Sequence, residues 1–331
     1  MANNVSKPFY SALLKHGLEH EEVTVVTNDL TASCEADGFR DAFPERYVSA
    51  GMAEQALISS LSGMATEGLY PIYTSFAVFC TRRPYEQVAL TLAYPARKAT
   101  IVGFLPGLMT PGWVTHQALD DIGLMNGLPN MTVVEAADAK NMETLLDAVY
   151  PIQGPTYSRA LRGEVPRLFD APLEIGRHRT LFEGEDILVV VSGHLTAATQ
   201  RIVSEIREEN PGVRLVNVST LTPFDDVALY EKLSRAATVI TVENHWVTSG
   251  LGRIVGEVIL EHGYSTRLLR VGVKDTFTHG GSPSYLENFY GIGESDIRNT
   301  ILGALGREHD ENVATRTAGT VGLTEGVAEG L

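Results

Sequence analysis

Cysteine is nearly absent: Cys34 and Cys80 are the two in a chain of 331 residues, and they stand in no metal-ligand spacing. A disulfide framework and a thiolate zinc site are thereby excluded as organising features, and a reducing compartment fits. Long apolar runs are missing, and Met1 to Tyr10 lacks a basic segment followed by an apolar core. The sequence therefore predicts a soluble, cytoplasmic protein. Positive charge is scarce, with 26 basic against 41 acidic residues and a formal charge of −15. Such a balance repels nucleic acid and anionic membrane, so neither is an expected partner, and an anionic substrate needs a local basic pocket.

What is present is a regular alternation of short β-rich runs and helical patterns. At 331 residues the chain is long for one core and suited to two α/β domains. A helical stretch over 6–20 leads into a β-rich run at 23–27. Further runs at 47–49, 70–73, 99–102, 132–135 and 156–159 are separated by helical patterns over 54–66, 84–93 and 139–149. Strands that alternate with helices imply a mostly parallel sheet with covered faces. Between 162 and 185 the pattern gives way to Gly163, Pro166, Pro172, Gly176 and Gly184, as in an interdomain connection. A second set follows, with strands at 187–191, 214–218, 239–242 and 267–271. The expected organisation is a first domain over 1–165, a linker over 166–184, a second domain over 185–306 and a flexible tail or arm over 307–331. Each domain is expected to be a mostly parallel sheet covered by helices.

Several short stretches carry residues suited to chemistry. Gly51-Met52-Ala53-Glu54-Gln55 follows a strand and opens an apolar helix, which puts Glu54 in the first turn at the carboxyl edge of the sheet, where open α/β sheets bind ligands. The helix dipole by itself also favours an acid there. Phe76, Phe79 and Arg82 recur three apart, a spacing that predicts one shared helical face, and core packing explains each phenylalanine taken singly. His116 lies in Thr115-His116-Gln117 ahead of Asp120-Asp121, where a surface His–Asp helix pair is an alternative. Asp29, in Asn28-Asp29-Leu30-Thr31, suits a turn or a helix cap as well as a ligand. Arg159, in Tyr157-Ser158-Arg159, offers a guanidinium fit for bidentate phosphate binding, with Arg162 and Arg167 nearby.

Together these stretches resemble the transketolase family, including its relative deoxyxylulose-phosphate synthase, whose pyrimidine-binding domain carries a Gly-x-x-Glu motif before an apolar helix. The resemblance covers most of the chain. It implies that Glu54 hydrogen-bonds the pyrimidine of thiamine diphosphate and favours the imino tautomer that removes the thiazolium C2 proton, a task suited to a carboxyl group kept protonated by burial. By the same resemblance, Phe76 and Phe79 form the pocket in which the aminopyrimidine ring stacks. Arg82 stands where transketolases often have a tyrosine. Asp29 matches an aspartate close to the bound thiamine. His116 matches a histidine presented toward C2, which shuttles protons at a substrate oxygen. Arg159 matches the Ser-Arg that grips a sugar phosphate. Phe277-Thr278-His279-Gly280-Gly281 resembles a Phe-x-x-His-Gly segment of deoxyxylulose-phosphate synthase, which makes His279 a candidate substrate residue alongside a plain turn histidine.

One family motif is missing. Transketolases bind the magnesium ion that bridges their diphosphate through a Gly-Asp-Gly motif, and none occurs here. The resemblance therefore implies that a separate alpha-like subunit carries the diphosphate and Mg2+, and that no metal ligand belongs to this chain. The chain begins where the diphosphate-binding domain of a full-length transketolase would have ended. A site at the subunit interface and a homodimer core within a two-alpha, two-beta assembly follow. The second domain, with Val190-Val191-Ser192-Gly193-His194, resembles the architectural C-terminal domain of the family.

Where sugar-phosphate transketolases carry hydroxyl-recognising residues, this chain has Phe104-Leu105-Pro106 and Thr110-Pro111-Gly112-Trp113. The function so implied is the beta subunit of a split thiamine diphosphate-dependent transketolase, passing a two-carbon ketol unit from a ketose-like donor to an aldehyde. The alternatives are a carbon–carbon ligase that decarboxylates a 2-oxoacid, as deoxyxylulose-phosphate synthase does, and a non-catalytic partner subunit.

Overall fold

The computed structural model describes residues 3–112 and 114–307, so Trp113 and, from 308 on, the expected tail lie outside the described residues. Numbered along the chain, the strands are β1 (Asn4–Ser6), β2 (Val23–Thr27), β3 (Tyr47–Ser49), β4 (Tyr70–Phe76), β5 (Thr100–Phe104), β6 (Thr132–Glu135), β7 (Thr156–Ala160), β8 (Glu164–Pro166), β9 (His178–Phe182), β10 (Ile187–Val191), β11 (Val213–Val218), β12 (Thr220–Thr222), β13 (Thr238–Trp246) and β14 (Arg267–Val273). They form two mostly parallel sheets flanked by helices. The first has the order β12-β6-β7-β5-β4-β2-β3 and the second β14-β13-β10-β11-β9, while β1 and β8 pair separately.

Composition accounts for the central strands. β10 reads Ile-Leu-Val-Val-Val and is buried at every position, as are β2, β5, β6 and β7. A strand with helices on both faces gains from β-branched and apolar residues throughout rather than at alternate positions. Helix 139–149 starts where it does because Asp138 accepts from Asn141 N at 2.8 Å.

Two features depart from the alternation read in the sequence. The stretch expected as a linker contains β9, which pairs antiparallel with β11 as an edge of the second sheet. β12 leaves the second half of the chain to pair antiparallel with β6 at the edge of the first sheet.

The two halves are therefore joined through packing as well as through the connecting segment. One apolar cluster runs from Val26, Tyr73, Ile101 and Met125 in the first half to Leu188, Val190, Val216 and Leu251 in the second. Each such fully buried Val or Leu side chain contributes about 1.5–3 kcal/mol. Polar ties lie beside it: Leu108 N donates to Asn244 Oδ1 at 3.0 Å, Asn244 Nδ2 donates to Pro106 O at 3.2 Å, and Trp246 N donates to Leu119 O at 3.0 Å. The carboxyl end of β13 thus fixes the loop after β5. Among the described residues no helix is long and apolar enough to cross a membrane.

Candidate active site

β3 ends at Ser49, Gly51 turns the chain with a φ of +70°, and helix 54–66 opens on Glu54. Its first-turn position leaves Glu54 at the carboxyl edge of the first sheet, with only 6% of its surface exposed. Two donors converge on one carboxylate oxygen: Asn28 Nδ2 lies 3.1 Å and Arg83 Nη1 2.7 Å from Oε1. Among the described residues no donor reaches Oε2. Asn28 comes from the carboxyl end of β2, and its own Oδ1 is buried without a partner.

Beside the carboxylate stands an aromatic wall. Strand β4 continues through Phe76, and a short helix over Ala77–Thr81 carries Phe79, so the two rings come from a strand end and a helix rather than from one helical face. They nonetheless stack, with centroids 6.1 Å apart and planes 25° from parallel. Arg82 does not join them. Its Nε donates to Asp120 Oδ2 at 2.7 Å, and its guanidinium lies 5.9 Å from the Trp246 ring. The adjacent Arg83 takes the place by the wall, with its guanidinium 4.1 Å over the Phe79 ring.

His116 ends a short helical turn, Val114–His116, and meets Phe79 edge-on with ring centroids 5.3 Å apart. Thr115 Oγ1 hydrogen-bonds its Nδ1 at 2.9 Å. The neighbouring Gln117 is buried and binds the second half of the chain: its Nε2 donates to His279 O at 3.1 Å, and its Oε1 accepts from Thr278 Oγ1. His279 is thereby held next to the His116 segment across 162 positions of sequence. Its ring hydrogen-bonds Tyr290 Oη through Nδ1 at 2.6 Å and Tyr285 Oη through Nε2 at 3.3 Å. Glu54, Phe76, Phe79 and His116 are thus linked through Arg83 and Phe79, whereas His279 reaches this group through its backbone oxygen and turns its ring to Tyr285, Phe289 and Tyr290. Asp29 is exposed in a left-handed conformation (φ 61°) at the end of β2.

The pyrimidine-binding domain of transketolase matches residues 3–167, and the transketolase C-terminal domain matches 176–297. A transketolase family protein of Sinorhizobium fredii is 33% identical over 295 residues, 88% of this chain and 86% of its own length. The chain belongs to the transketolase family. Members of that family are thiamine diphosphate-dependent transferases. A 6-deoxy-6-sulfo-D-fructose transketolase subunit of a Clostridium species is 30% identical, covering 87% of this chain and 90% of that protein. Among solved structures, a split gene transketolase in an inactive beta4 tetramer superposes with a TM-score of 0.82 at 33% identity, over 90% of this chain and 97% of that one.

For a transketolase-family chain, the chemistry of the Glu54 pocket fits the aminopyrimidine of thiamine diphosphate. A flat heteroaromatic ring bearing an amino group needs a carboxyl partner for a ring nitrogen, an acceptor for the amino group and an aromatic surface to stack on. Glu54 Oε2 offers the first, the unpartnered Asn28 Oδ1 the second, and Phe76 with Phe79 the third.

Arg159 requires a correction. The transketolase resemblance makes it a phosphate grip, but its side chain is fully buried. Nε donates to Asp121 Oδ2 at 2.8 Å, Nη1 to Glu135 Oε1, and Nη2 to Asn244 O at 3.1 Å and Ala118 O at 3.4 Å. Burial by itself lowers the pKa of this guanidinium, but Asp121 and Glu135 more than reverse that and hold it above the usual value. All three nitrogens are committed to protein acceptors, so Arg159 joins the two halves of the chain instead of holding substrate.

Asn28 and Arg83 are the residues that motif reading passes over. Each is the immediate neighbour of a residue the motifs select, Asp29 and Arg82. The signal that separates Asn28 from Asp29 is strand geometry: Asn28 continues the buried run of β2, and Asp29 turns out with positive φ.

Proposed function

We propose that this chain is the beta subunit of a split thiamine diphosphate-dependent transketolase, active with an alpha-like partner. It would transfer a two-carbon ketol unit from a ketose-like donor to an aldehyde in cytoplasmic carbohydrate metabolism. The observation that carries this reading is the buried Glu54 carboxylate, with one oxygen held by Asn28 and Arg83, no donor among the described residues at the other, and Arg83 itself resting on Phe79 of the Phe76–Phe79 wall. Bound thiamine diphosphate supplies the electron sink for carbon–carbon cleavage. In this chain Glu54 Oε2 binds the pyrimidine ring nitrogen and controls its proton, Phe76 and Phe79 fix the ring by stacking, and Asp29 approaches the thiamine from the end of β2. His116 holds or moves a proton at the substrate oxygen, and His279 lines the substrate side. The diphosphate and its Mg2+ are assigned to the alpha-like partner, which places the complete site at a subunit interface in a two-alpha, two-beta assembly. The split arrangement is supported by the solved relative, itself a split gene transketolase.

A second reading is favoured by one observation. The segment that ends β5 and leaves it, Phe104-Leu105-Pro106, offers no hydroxyl-binding side chain: Phe104 closes the strand and packs into the core against Phe9, and Leu105 follows at φ 53°. A site without hydroxyl-binding side chains there suits a decarboxylated 2-oxoacid better than a polyol donor. The test combines this chain with the alpha-like partner, thiamine diphosphate and Mg2+, and supplies either a ketose phosphate or pyruvate together with an aldehyde. The transketolase reading predicts a chain-extended ketose from the ketose phosphate and no release of carbon dioxide. Pyruvate-dependent release of carbon dioxide in step with carbon–carbon bond formation selects the second reading.

A further inference from the structure

We infer that Arg83, acting with Asn28, is a positioning clamp that turns one defined oxygen of Glu54 toward the cofactor, an inference that rests on the cofactor reading above. A glutamate side chain has several free torsions, and a carboxylate presented to a ring nitrogen has to be fixed to within a fraction of an ångström to be useful. Here both fixing donors land on the same oxygen. Arg83 Nη1 and Asn28 Nδ2 approach Oε1 at 2.7 and 3.1 Å, and rotating Glu54 breaks both bonds at once.

Arg83 is itself placed from three directions. Its guanidinium rests 4.1 Å over the Phe79 ring, a cation–π contact that ties it to the wall on which the ring would stack. Gln55 Nε2, on the residue after Glu54, donates to Arg83 O at 3.3 Å and fastens the Arg83 backbone to helix 54–66. The third hold is the ion pair with Glu54. The side chain is 49% exposed against 8% for Glu54, so a half-exposed guanidinium is paired with a buried acid. An ordinary surface pair contributes little. This pair differs in that its acid partner is buried, shared with a buried amide and adjacent to the aromatic wall. Arg83 touches Glu54 and Phe79 in this arrangement, so its role is to position them.

A double-mutant cycle on the complex assembled with the alpha-like partner tests the clamp. The dissociation constant of thiamine diphosphate is measured calorimetrically for wild type, Arg83→Ala, Glu54→Gln and the double variant, with Arg83→Lys as the conservative control and thermal melting for each. The expected result is about a tenfold loss of affinity for Arg83→Ala with an unchanged melting temperature. Arg83→Lys recovers part of that loss, and Arg83→Ala has a much smaller effect once Glu54 is glutamine. Equal losses in the two backgrounds, or no loss from Arg83→Ala, overturn the clamp while leaving the cofactor reading intact. Failure of the wild-type complex to bind thiamine diphosphate overturns both.

Discussion

Arg159 Nε and Asp121 Oδ2 lie 2.8 Å apart with both side chains fully buried, in the seam where β7 of the first sheet faces the end of β13 of the second. Removing one partner of such a pair leaves an unmatched charge that water cannot reach. Arg159→Ala should therefore lower unfolding free energy by about 3–5 kcal/mol in a urea titration. A residue that grips substrate at a solvent-facing site would instead raise KM and leave the urea midpoint in place.

Glu54→Gln keeps the shape of the side chain but removes the acid and the charge that Arg83 pairs with. Cofactor-dependent turnover of the assembled complex should fall by about a hundredfold or more. The melting temperature of the subunit should stay within a degree or two, because an isosteric change at a hydrogen-bonded site costs little stability. Steady-state kinetics and a thermal scan check the two halves of the statement.

Phe79→Leu preserves most of the buried volume while removing the aromatic face that stacks on Phe76. An aromatic pair contributes about 0.5–1.5 kcal/mol beyond its burial, so cofactor affinity should weaken severalfold, up to about tenfold. Calorimetry on the complex reads this directly, and an unchanged dissociation constant would take Phe79 out of the ring pocket.

Glu243 is fully buried beside Gly252, whose N–H donates to its Oε1 at 2.9 Å, and burial pushes its carboxyl up to about 8 from an ordinary 4.5. Burial also holds the adjacent His245 down, to about 4 from 6.5. The folded state keeps the Glu243 proton after the unfolded chain has released it, so the stability from this group is present at low pH and is lost as pH rises from about 4.5 to about 8. His245 acts in the opposite sense, with its stability present above 6.5 and lost as pH falls toward 4. The two oppose each other between 4.5 and 6.5, and from 6.5 to 8 Glu243 acts alone. Melting temperature should decline over that upper range in wild type and become flatter in Glu243→Gln.

The alternation of strands and helices was legible where a buried strand is an unbroken apolar run, as Ile-Leu-Val-Val-Val is in β10, or is rich in β-branched residues, as Val-Thr-Val-Val-Thr is in β2. Glu54 was legible because a helix start at a sheet edge is a local feature. β12 was not: three residues, Thr-Leu-Thr, have no periodicity to read, and their partner β6 lies far back in the chain. β9 was hidden for a related reason, since an edge strand with intermediate burial throughout lacks the apolar run that marks the central strands. Arg159 looked like a ligand because its countercharges, Asp121 and Glu135, are 38 and 24 positions away, and nothing local shows that they neutralise it. The choice of Arg83 over Arg82 rests on contacts far away in sequence, Asp120 for Arg82 and Glu54 for Arg83, and β4 running on to Phe76 breaks the single helical face that the spacing predicted.

The most direct test of the split-transketolase account is a titration of thiamine diphosphate and Mg2+ into this chain alone and into its mixture with the alpha-like subunit. The account predicts tight, magnesium-dependent binding in the mixture and none of comparable strength by the single chain. Equal binding by the chain alone, or none in either sample, would contradict it.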